Sequence, residues 1–348
     1  MQTTIRYMPD DITNILGRAS GGENFSFDEM AAAIDAIMQG GWTDEQIALL
    51  LTALAAKGET VDEIAGAAFA MRQHMTPIRS RHAELLDTCG TGGGGSKLFN
   101  VSTTAAIVAA AAGVPGAKHG NRSITSRSGS ADVLAELGVN INASIAQVEA
   151  CLNELGLCFC FAPLMHPSMK HVAAVRKKLG IRTIFNILGP LVNPANATHQ
   201  LLGAGRPELQ PLLAGAMQRL GTRRTLVVSG DDGLGDVTLA GNTTVTEITP
   251  EGVHTFTWSP EYFGLARESL DGLAVDGPAE SAAMIRELLA GAPGAARDIV
   301  VLNAAAGLIA FGKTGDPKSA AASVAAAIDS GAAASLLGHL VKRSHEPA

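Results

Sequence analysis

The sequence predicts a small N-terminal helical domain followed by a larger α/β domain, whose central, mainly parallel sheet is flanked by helices. Three observations predict this fold. Helix-capping patterns recur early in the chain, apolar runs ending in glycine-rich turns alternate with helical segments later, and 348 residues suffice for two domains. We place a helical domain at residues 1–80, joined to the rest near residues 177–196, and an α/β domain at residues 81–348.

The helical domain has three helix starts of one design. In each, a hydroxyl residue stands three positions before an acid or amide, so that the two side chains satisfy free backbone N–H groups at the helix start. The pairs are Ser26 and Glu29, Thr43 and Gln46, and Thr60 and Glu63. Gly40 and Gly58 stand where the first two helices should end. Ile47, Leu50 and Leu54 have helical spacing and predict a packed face.

The α/β domain begins where short apolar runs alternate with helical segments. Predicted strands cover residues 84–87, 114–118, 157–161, 225–229 and 298–302, and predicted helices cover residues 102–112 and 131–137. A stretch rich in proline and asparagine at residues 183–194 predicts a connection between domains. Ligands of such sheets bind at the carboxyl ends of the strands, so the loops that follow the strands are the first places to look for chemistry.

Charge and composition exclude several classes of protein. The chain has 26 Lys and Arg against 33 Asp and Glu, a net charge of −7, which disfavours a general nucleic-acid binder. Residues 1–15 lack the apolar core of a signal peptide, and no apolar run is long enough for a membrane span. Cys89, Cys151, Cys158 and Cys160 have no metal or disulfide spacing. We expect a cytoplasmic protein with free thiols and no nucleic-acid or membrane partner.

The densest functional pattern is the glycine-rich segment 87–96, DTCGTGGGGS, which follows a predicted strand. Such a loop lets backbone N–H groups cradle an anion such as phosphate, although a flexible turn is the alternative interpretation. A P-loop would need Gly-Lys-Ser/Thr after its second glycine, whereas residues 95–98 read GSKL. A dinucleotide fingerprint should open a helix directly, so this interpretation is also weak.

Two downstream segments add donors and cations. Residues 100–104, NVSTT, place hydroxyls at the start of an alanine-rich helix, where free N–H groups and the helix dipole favour an anion. An ordinary N-cap explains one of these three hydroxyls. Residues 118–130, KHGNRSITSRSGS, contain three cations and five hydroxyls without an acid. This concentration of donors favours a multiply phosphorylated ligand over a solvated loop.

Five segments together resemble the anthranilate phosphoribosyltransferase family. They are residues 90–93, 100–103, 118–130, 161–170 (FAPLMHPSMK) and 182–190 (RTIFNILGP). The resemblance runs from the N-terminal helices to about residue 302 and beyond. It implies a fold of the nucleoside phosphorylase and phosphoribosyltransferase type, with an active site at the hinge between a dimerising helical domain and an α/β domain that binds phosphoribosyl pyrophosphate.

The resemblance also implies an activity in tryptophan biosynthesis. Family members transfer phosphoribosyl from phosphoribosyl pyrophosphate to the amine of anthranilate and release pyrophosphate, with Mg²⁺ as cofactor. The implied partners are these two substrates and a second copy of the chain. The mechanism should rest on positioning and on electrostatic stabilisation of the leaving group, without a covalent intermediate or an obligatory general base.

Matching positions receive the roles of the family's residues. Those implied to hold phosphoribosyl pyrophosphate are Gly90, Gly93, Gly94, Asn100, Val101, Ser102, Thr103, Lys118, His119, Gly120, Asn121, Arg122, Ser123, Ser126 and Ser130. Those implied to face anthranilate are Gly90, Asn121, His166 and Arg176. His119 is also expected to shape the anthranilate pocket, although a histidine inside a motif can equally be structural. Ser102 and Asp236 are implied to hold magnesium.

The sequence departs from the family pattern around the metal. Family members usually carry an acid at the position of Gly94, and an Asp-Glu pair where this chain has Gly235 and Asp236. Leu98 replaces a threonine and Ser229 a histidine. Magnesium is commonly held by one or two carboxylates plus substrate phosphates, so we expect an active enzyme with a weaker metal affinity.

Two other functions stay open at the level of sequence. The first is a catalytically impaired relative that keeps a role in binding an anion or ligand, because the metal-site acids are missing at Gly94 and Gly235. The second is a nucleoside phosphorylase of the same architecture, in which Asn121 and Arg176 would have no carboxylate to bind. The acids at positions 231–232 are interpreted as exposed turn residues rather than as replacement metal ligands.

Overall fold

A computed structural model describes residues 9–92, 97–123 and 127–347 and contains both predicted parts. Four helices come first: α1 (Pro9–Ser20), α2 (Phe27–Met38), α3 (Asp44–Lys57) and α4 (Val61–Gln73). The three predicted capping boxes are confirmed at the starts of α2, α3 and α4. Gly40 and Gly58 follow α2 and α3 with φ angles of 77° and 85°, the left-handed region that glycine adopts without strain.

A seven-stranded sheet forms the centre of the remaining chain. Its strands are β1 (Leu86–Asp87), β2 (Gly116–Gly120), β3 (Leu157–Phe161), β4 (His199–Gly203), β5 (Arg224–Gly230), β6 (Thr243–Thr249) and β7 (Gly252–Trp258). Their order is β3-β2-β1-β4-β5-β6-β7, and the first five are parallel while β6 and β7 are antiparallel. The predicted mainly parallel sheet is therefore confirmed.

Helices cover both faces of this sheet. They are α5 (Val101–Ala111), α6 (Ser130–Glu136), α7 (Ile145–Leu155), α8 (Ala162–Met165), α9 (Lys170–Leu179), α10 (Gln210–Leu220), α11 (Pro278–Leu289), α12 (Ala295–Phe311), α13 (Pro317–Asp329) and α14 (Ala332–His345). Within the described ranges, no single helix has both the length and the apolar composition to cross a membrane. By those two criteria alone, α13 and α14 would qualify as a pair, bent by 62°.

One strand prediction is wrong. Residues 298–302 belong to the 17-residue helix α12, not to a strand. Ile299, Val300 and Val301 are buried, as is most of the helix, so no polar face marks a helical period. A short run of β-branched residues then has the composition of a buried strand, and periodicity cannot separate the two.

Three strands are absent from the predicted set, and two predicted strands are displaced. β4, β6 and β7 were not predicted, since β4 begins with the polar pair His199 and Gln200 and most outward positions of β6 and β7 are threonine or charged. Strand β1 is shorter than the predicted 84–87, and β2 starts two residues after the predicted 114. Val114, which precedes β2, donates its N–H to the Ala109 carbonyl at 3.1 Å and so belongs to the turn that ends α5.

Two hydrophobic cores lie on opposite faces of the sheet. One contains Leu201 and Val228 together with α5 and α12. The other contains Leu202 and Val227, the four N-terminal helices, α9, α10 and buried residues of the 184–192 segment. The helical part therefore packs on one face of the sheet rather than forming a core of its own.

The chain order of the strands creates a switch point beside β1. From β1 the chain builds β2 and β3 on one side, then returns to build β4 and β5 on the other. Loops from adjacent strands diverge at such a point and leave a crevice outside the carboxyl ends of the strands. Residues 88–92 of the glycine-rich segment follow β1, so this topology places them directly in that crevice.

Candidate active site

A cavity of about 540 Å³ opens at the switch point. Gly90, Ser102, Lys118 and Arg176, which come from four separate segments, all line it. We call one side the glycine half, made of residues 89–92, residues 98–103 and Lys118. We call the other the histidine half, made of the lining residues His119, Arg176, Phe185, Gly189 and Pro190 together with His166 and Leu191 behind them.

Backbone-to-backbone packing of three loops forms the floor of the glycine half. A Cβ atom on Gly90 would lie 2.9 Å from the Gly203 carbonyl oxygen, and one on Gly203 would lie 1.7 Å from the carbonyl oxygen of Gly235. A Cβ on Gly235 would lie 2.9 Å from the backbone of Gly205. Thr91 N–H donates to the Gly203 carbonyl at 2.8 Å. The loops after β1, β4 and β5 can approach this closely because none of these positions has a side chain.

The N-terminus of α5 faces the cavity. Val101, Ser102 and Thr103 line the cavity, and the preceding Asn100 does not cap the helix with its side chain. Instead, Asn100 Oδ1 accepts from Ser128 Oγ at 2.7 Å and from Ser281 Oγ at 2.8 Å. The first-turn N–H groups of α5 are therefore not capped by Asn100. Together with the helix dipole they face the cavity, an arrangement that favours an anion.

Lys118 is the buried cation of the glycine half. Its Nζ donates to the Thr88 carbonyl at 3.2 Å, to Thr88 Oγ1 at 3.1 Å and to Ser102 Oγ at 3.5 Å. Nearby Asp87 is buried and accepts from His119 N–H, and burial raises the pKa of its carboxyl to about 6. The oxygens to which Lys118 Nζ donates are all neutral, so its ammonium lies at the cavity without a hydrogen bond to a carboxylate in the described ranges.

Acids from elsewhere in the chain neutralise two of the three cations in the 118–130 segment. Arg122 Nη1 lies 2.9 Å from Asp132 Oδ1, and Arg127 pairs with Asp276. Asp132 also accepts from Ser123 N–H at 2.9 Å and so closes the loop. The sequence, read segment by segment, overstated the free positive charge of this loop.

The histidine half holds a cation against an aromatic ring. The guanidinium carbon of Arg176 lies 5.5 Å from the ring centre of Phe185, and both residues line the cavity. Burial lowers the pKa of Arg176, which nevertheless stays cationic at neutral pH. It makes no ion pair with any acid in the described ranges. A planar carboxylate beside an apolar ring would complement this arrangement.

Two buried histidines are in contact in this half of the cavity: His119 lines the cavity and His166 lies behind it. His119 Nδ1 is 2.9 Å from the Gly189 carbonyl oxygen, and His119 Nε2 is 3.2 Å from His166 Nε2. A carbonyl can only accept, so the proton of His119 is on Nδ1, and His166 must donate from Nε2. Burial lowers the pKa of His119 to about 4 and that of His166 to about 3. Both rings are therefore neutral at physiological pH.

The described residues offer one carboxylate for a metal at this cavity. It belongs to Asp236, whose pKa is raised to about 7 by burial, with an opposing effect of Lys118. Within the described ranges, no cluster of three or more His, Cys, Asp or Glu residues has metal-binding geometry. The acids at positions 231–232 are exposed, as expected, and Asp232 accepts from Thr238 Oγ1 at 2.6 Å. This donor set fits a magnesium ion ligated mainly by a bound phosphate and not an all-protein site.

The cavity is positive although the whole chain is negative. Its described lining contains four cations, Lys118, Arg122, Arg176 and Arg182, and one acid, Asp236. Because Asp132 neutralises Arg122, the lining contributes 3 − 1 = +2 with neutral histidines, against −7 for the chain. A positive cleft on a negative protein concentrates small anions, while the negative remainder of the surface repels polyanions.

The structure brings most sequence-implied site residues to this one cavity. Those that line it are Gly90, Asn100, Val101, Ser102, Thr103, Lys118, His119, Gly120, Asn121, Arg122, Ser123, Ser130, Arg176 and Asp236. Gly93, Gly94 and Ser126 fall outside the described residues. His166 is not part of the lining and reaches the cavity through His119.

Sequence reasoning assigned no role to several further lining residues. These are mainly Arg182, Phe185, Gly203, Gly205, Leu209 and Leu234. Arg182 and Phe185 lie in a segment that carries the family resemblance, so that segment was the available signal. The others follow β4 and β5, and no local motif marks them.

Two profiles of one enzyme family match nearly the whole chain. The profile described as the glycosyl transferase family, helical bundle domain, matches residues 13–75. The profile described as the glycosyl transferase family, a/b domain, matches residues 82–334. These matches coincide with the helical part and the sheet-containing part of the structure.

Individual relatives give a more specific result. Anthranilate phosphoribosyltransferase of Pelotomaculum thermopropionicum is 49% identical over 331 residues, which cover 95% of this chain and 96% of that protein. The crystal structure of the enzyme of that name from Thermus thermophilus matches with a TM-score of 0.89 and 43% identity, covering 95% of this chain and 99% of that one. The Saccharomyces cerevisiae enzyme of that name, in complex with PRPP and Mg, matches with a TM-score of 0.88 and 30% identity, covering 97% and 98%.

Proposed function

This chain belongs to the anthranilate phosphoribosyltransferase family, and we propose that its cleft transfers phosphoribosyl from phosphoribosyl pyrophosphate to the amine of anthranilate in tryptophan biosynthesis. One observation carries the proposal. Gly90, Ser102, Lys118 and Arg176 meet in one positive cavity at the switch point of the sheet. No observation on the described residues or among these relatives favours the catalytically impaired alternative.

The glycine half binds the phosphoribosyl donor. Backbone N–H groups of the glycine loop and of the α5 N-terminus, together with Lys118, supply donors for phosphate oxygens. The side chain of Asn100 accepts hydrogen bonds from Ser128 and Ser281. Its contribution to substrate binding is therefore indirect: it holds Ser128 against the start of α5. Residues 119–123 and Ser130 make the remaining contacts with phosphoribosyl pyrophosphate.

The histidine half binds anthranilate. Arg176 supplies a guanidinium for the carboxylate, and Phe185 supplies an apolar face for the ring. Asn121 and Gly90 lie where the two halves meet, beside the reacting amine. The neutral His119 forms the wall, and His166 supports that wall from behind.

The reaction then follows from position and charge. The bond from ribose C1 to the pyrophosphate oxygen breaks, C1 gains oxocarbenium character, and the amine nitrogen forms the new bond. Lys118 and the backbone donors stabilise the charge that develops on pyrophosphate. The amine is nucleophilic in its neutral form and, once the C–N bond has formed, loses its proton to the departing pyrophosphate. His119 is not available to take this proton, since its Nε2 lone pair already accepts from His166.

Magnesium is part of the proposal. Asp236 and Ser102 would hold an ion that is ligated mainly by the diphosphate of phosphoribosyl pyrophosphate, since the described lining offers one carboxylate. The ion would supply positive charge to the leaving pyrophosphate. Because Gly235 carries no acid, we expect the required magnesium concentration to be higher than in relatives with an Asp-Glu pair.

The organisation of the protein completes the proposal. We place a helical domain at residues 1–80, joined near 177–196, and a catalytic domain at 81–348, in a homodimeric, cytoplasmic enzyme. The exposed apolar side chains of Leu49 and Phe69 on the helical part support dimerisation. The four free thiols, including Cys158 and Cys160, which share a thiol hydrogen bond at 3.8 Å, support a reducing compartment.

A fluorescence assay tests the function. The protein is incubated with anthranilate and phosphoribosyl pyrophosphate while magnesium is titrated, and the loss of anthranilate fluorescence is followed. We expect a loss that requires both phosphoribosyl pyrophosphate and magnesium. No loss at any magnesium concentration, with a folded protein, would contradict the proposal.

A further inference from the structure

The turn at residues 189–191 is held by three donors from three distant elements. Its successive carbonyls accept, in chain order, from His119 Nδ1 at 2.9 Å, Gln200 Nε2 at 2.8 Å and Arg72 Nε at 2.7 Å. His119 lies on β2, Gln200 on β4 and Arg72 in the last turn of α4. Two sheet strands and the helical domain thus converge on one turn.

The turn has little structure of its own. It is a single 3-10 turn, closed by Leu191 N–H donating to the Leu188 carbonyl at 2.8 Å. Such turns have poorer hydrogen-bond geometry than α-helices, so external donors contribute much of their stability. Gly189 and Pro190 also line the cavity. A displacement of this turn would therefore change the shape of the histidine half directly.

The position of the turn also determines the state of the two histidines. The Gly189 carbonyl keeps the His119 proton on Nδ1, which leaves Nε2 as the acceptor for His166. If the carbonyl moved away, His119 would lose the partner that selects this tautomer, and the contact with His166 would lose its donor and acceptor assignment. The turn, His119 and His166 are therefore one hydrogen-bonded unit.

We propose that Arg72 and Gln200 are positioning residues for the acceptor substrate. By fixing the turn at residues 189–191, they fix the cavity wall and the orientation of His119 against which anthranilate is held. Neither residue lines the cavity. The proposal rests on the proposed function in so far as the acceptor is anthranilate.

Arg72 links the 189–191 turn to the helical domain. Its guanidinium is half-buried, burial lowers its pKa, and in the part of the chain that the structure describes it forms no ion pair. A charged donor makes a stronger hydrogen bond to a carbonyl than a neutral one does. This bond connects the last turn of α4 directly to the acceptor wall.

Steady-state kinetics on four variants test the proposal. Gln200→Met and Arg72→Met remove one donor each, Arg72→Lys keeps a cationic donor, and Gln210→Met is the matched control. Gln210 is a similarly buried glutamine that donates to the Val227 and Thr244 carbonyls, away from the turn. Loss of one net hydrogen bond corresponds to about a three- to tenfold change.

The expected result separates positioning from general stability. We expect Gln200→Met and Arg72→Met to raise KM for anthranilate about three- to tenfold and to leave KM for phosphoribosyl pyrophosphate within about twofold. Arg72→Lys should recover part of the loss, and Gln210→Met should change neither KM. Equal effects of Gln200→Met and Gln210→Met on both KM values would overturn the proposal, because that is the behaviour of a merely structural residue.

A second measurement needs no activity. In substrate-free protein labelled with ¹⁵N-histidine, with His119→Gln used for assignment, we expect His119 to carry its proton on Nδ1 alone. Gln200→Met and Arg72→Met should introduce the Nε2–H tautomer, and Gln210→Met should not. An unchanged His119 spectrum in both donor variants would overturn the inference. If the protein consumed no anthranilate, the proposed function would fail while this spectrum still decided the role of the turn.

Discussion

The two halves of the cavity are built in opposite ways. The glycine half presents mainly backbone groups, the Ser102 hydroxyl and Lys118, and its floor can pack closely because Gly90, Gly203 and Gly235 have no side chains. The histidine half presents side chains, the buried His119 and Phe185 and the half-buried Arg176, and partners from other elements hold His119 and the 189–191 turn. Backbone donors suit phosphate, which accepts from many directions, whereas a planar acid needs side chains in defined orientations. The difference predicts that substitutions in the two halves fail in different ways.

The largest effect should come from the charge of the glycine half. Lys118→Met removes the buried cation beside Ser102, and we expect kcat/KM to fall about 100- to 1000-fold, the usual loss for a group that stabilises leaving charge. Anthranilate binding alone, measured by fluorescence, should persist. Lys342→Met, at an exposed lysine on α14, is the control. A fall in kcat/KM of less than tenfold would mean that the leaving pyrophosphate does not bind beside Lys118.

The histidine half should dominate the pH dependence of stability. His119 has a pKa of about 4 in the folded protein against an ordinary value of 6.5, so its contribution to stability is present above pH 6.5 and is lost as the pH falls through about 4. A shift of this size corresponds to about 3 kcal/mol. Urea unfolding at pH 7 and pH 4.5 should show a smaller difference for His119→Gln than for the natural chain. An equal difference in both proteins would mean that His119 is accessible to water in the folded state.

Steric packing in the glycine half should give the next effect. Gly90→Ala places a Cβ 2.9 Å from the Gly203 carbonyl oxygen, and the backbone must shift to accept it. We expect a loss of about 2 kcal/mol in the free energy of unfolding, together with weaker binding of phosphoribosyl pyrophosphate. Gly272→Ala, where no atom lies within 4 Å of the new Cβ, should cost much less. Similar unfolding curves for the two variants would show that the close approach is not required.

The smallest effect should come from the link between Asn100 and α11. Ser281→Ala removes one of the two hydroxyls that donate to Asn100 Oδ1, and Ser128 keeps the other. We expect KM for phosphoribosyl pyrophosphate to rise a few-fold, about 1 kcal/mol, with KM for anthranilate unchanged. A rise in KM for anthranilate instead would mean that Asn100 also shapes the histidine half.

The sequence predicted the glycine half better than the histidine half. Glycine runs and hydroxyls at a helix start form local patterns, so Gly90, Ser102 and Lys118 were found together. Arg72 and Gln200 carry no such pattern, because their importance arises only when α4 and β4 meet the 189–191 turn.

Predictions of the fold show the same difference between local and long-range features. The capping boxes at Ser26, Thr43 and Thr60 depend on neighbouring residues and were predicted correctly. Helix α12 was mistaken for a strand because burial on all sides removes the polar face by which a helix is recognised. Both failures have one cause. The wrong strand at residues 298–302 and the unassigned roles of Arg72 and Gln200 depend on long-range packing, which local sequence patterns do not record.

The interlocked glycines have a mechanical consequence. Since the loops after β1, β4 and β5 touch through their main chains, none of them can be displaced without moving the others. It also follows that an acid could be restored at position 235 only after the main chain near Gly205 had been rebuilt to make room for it.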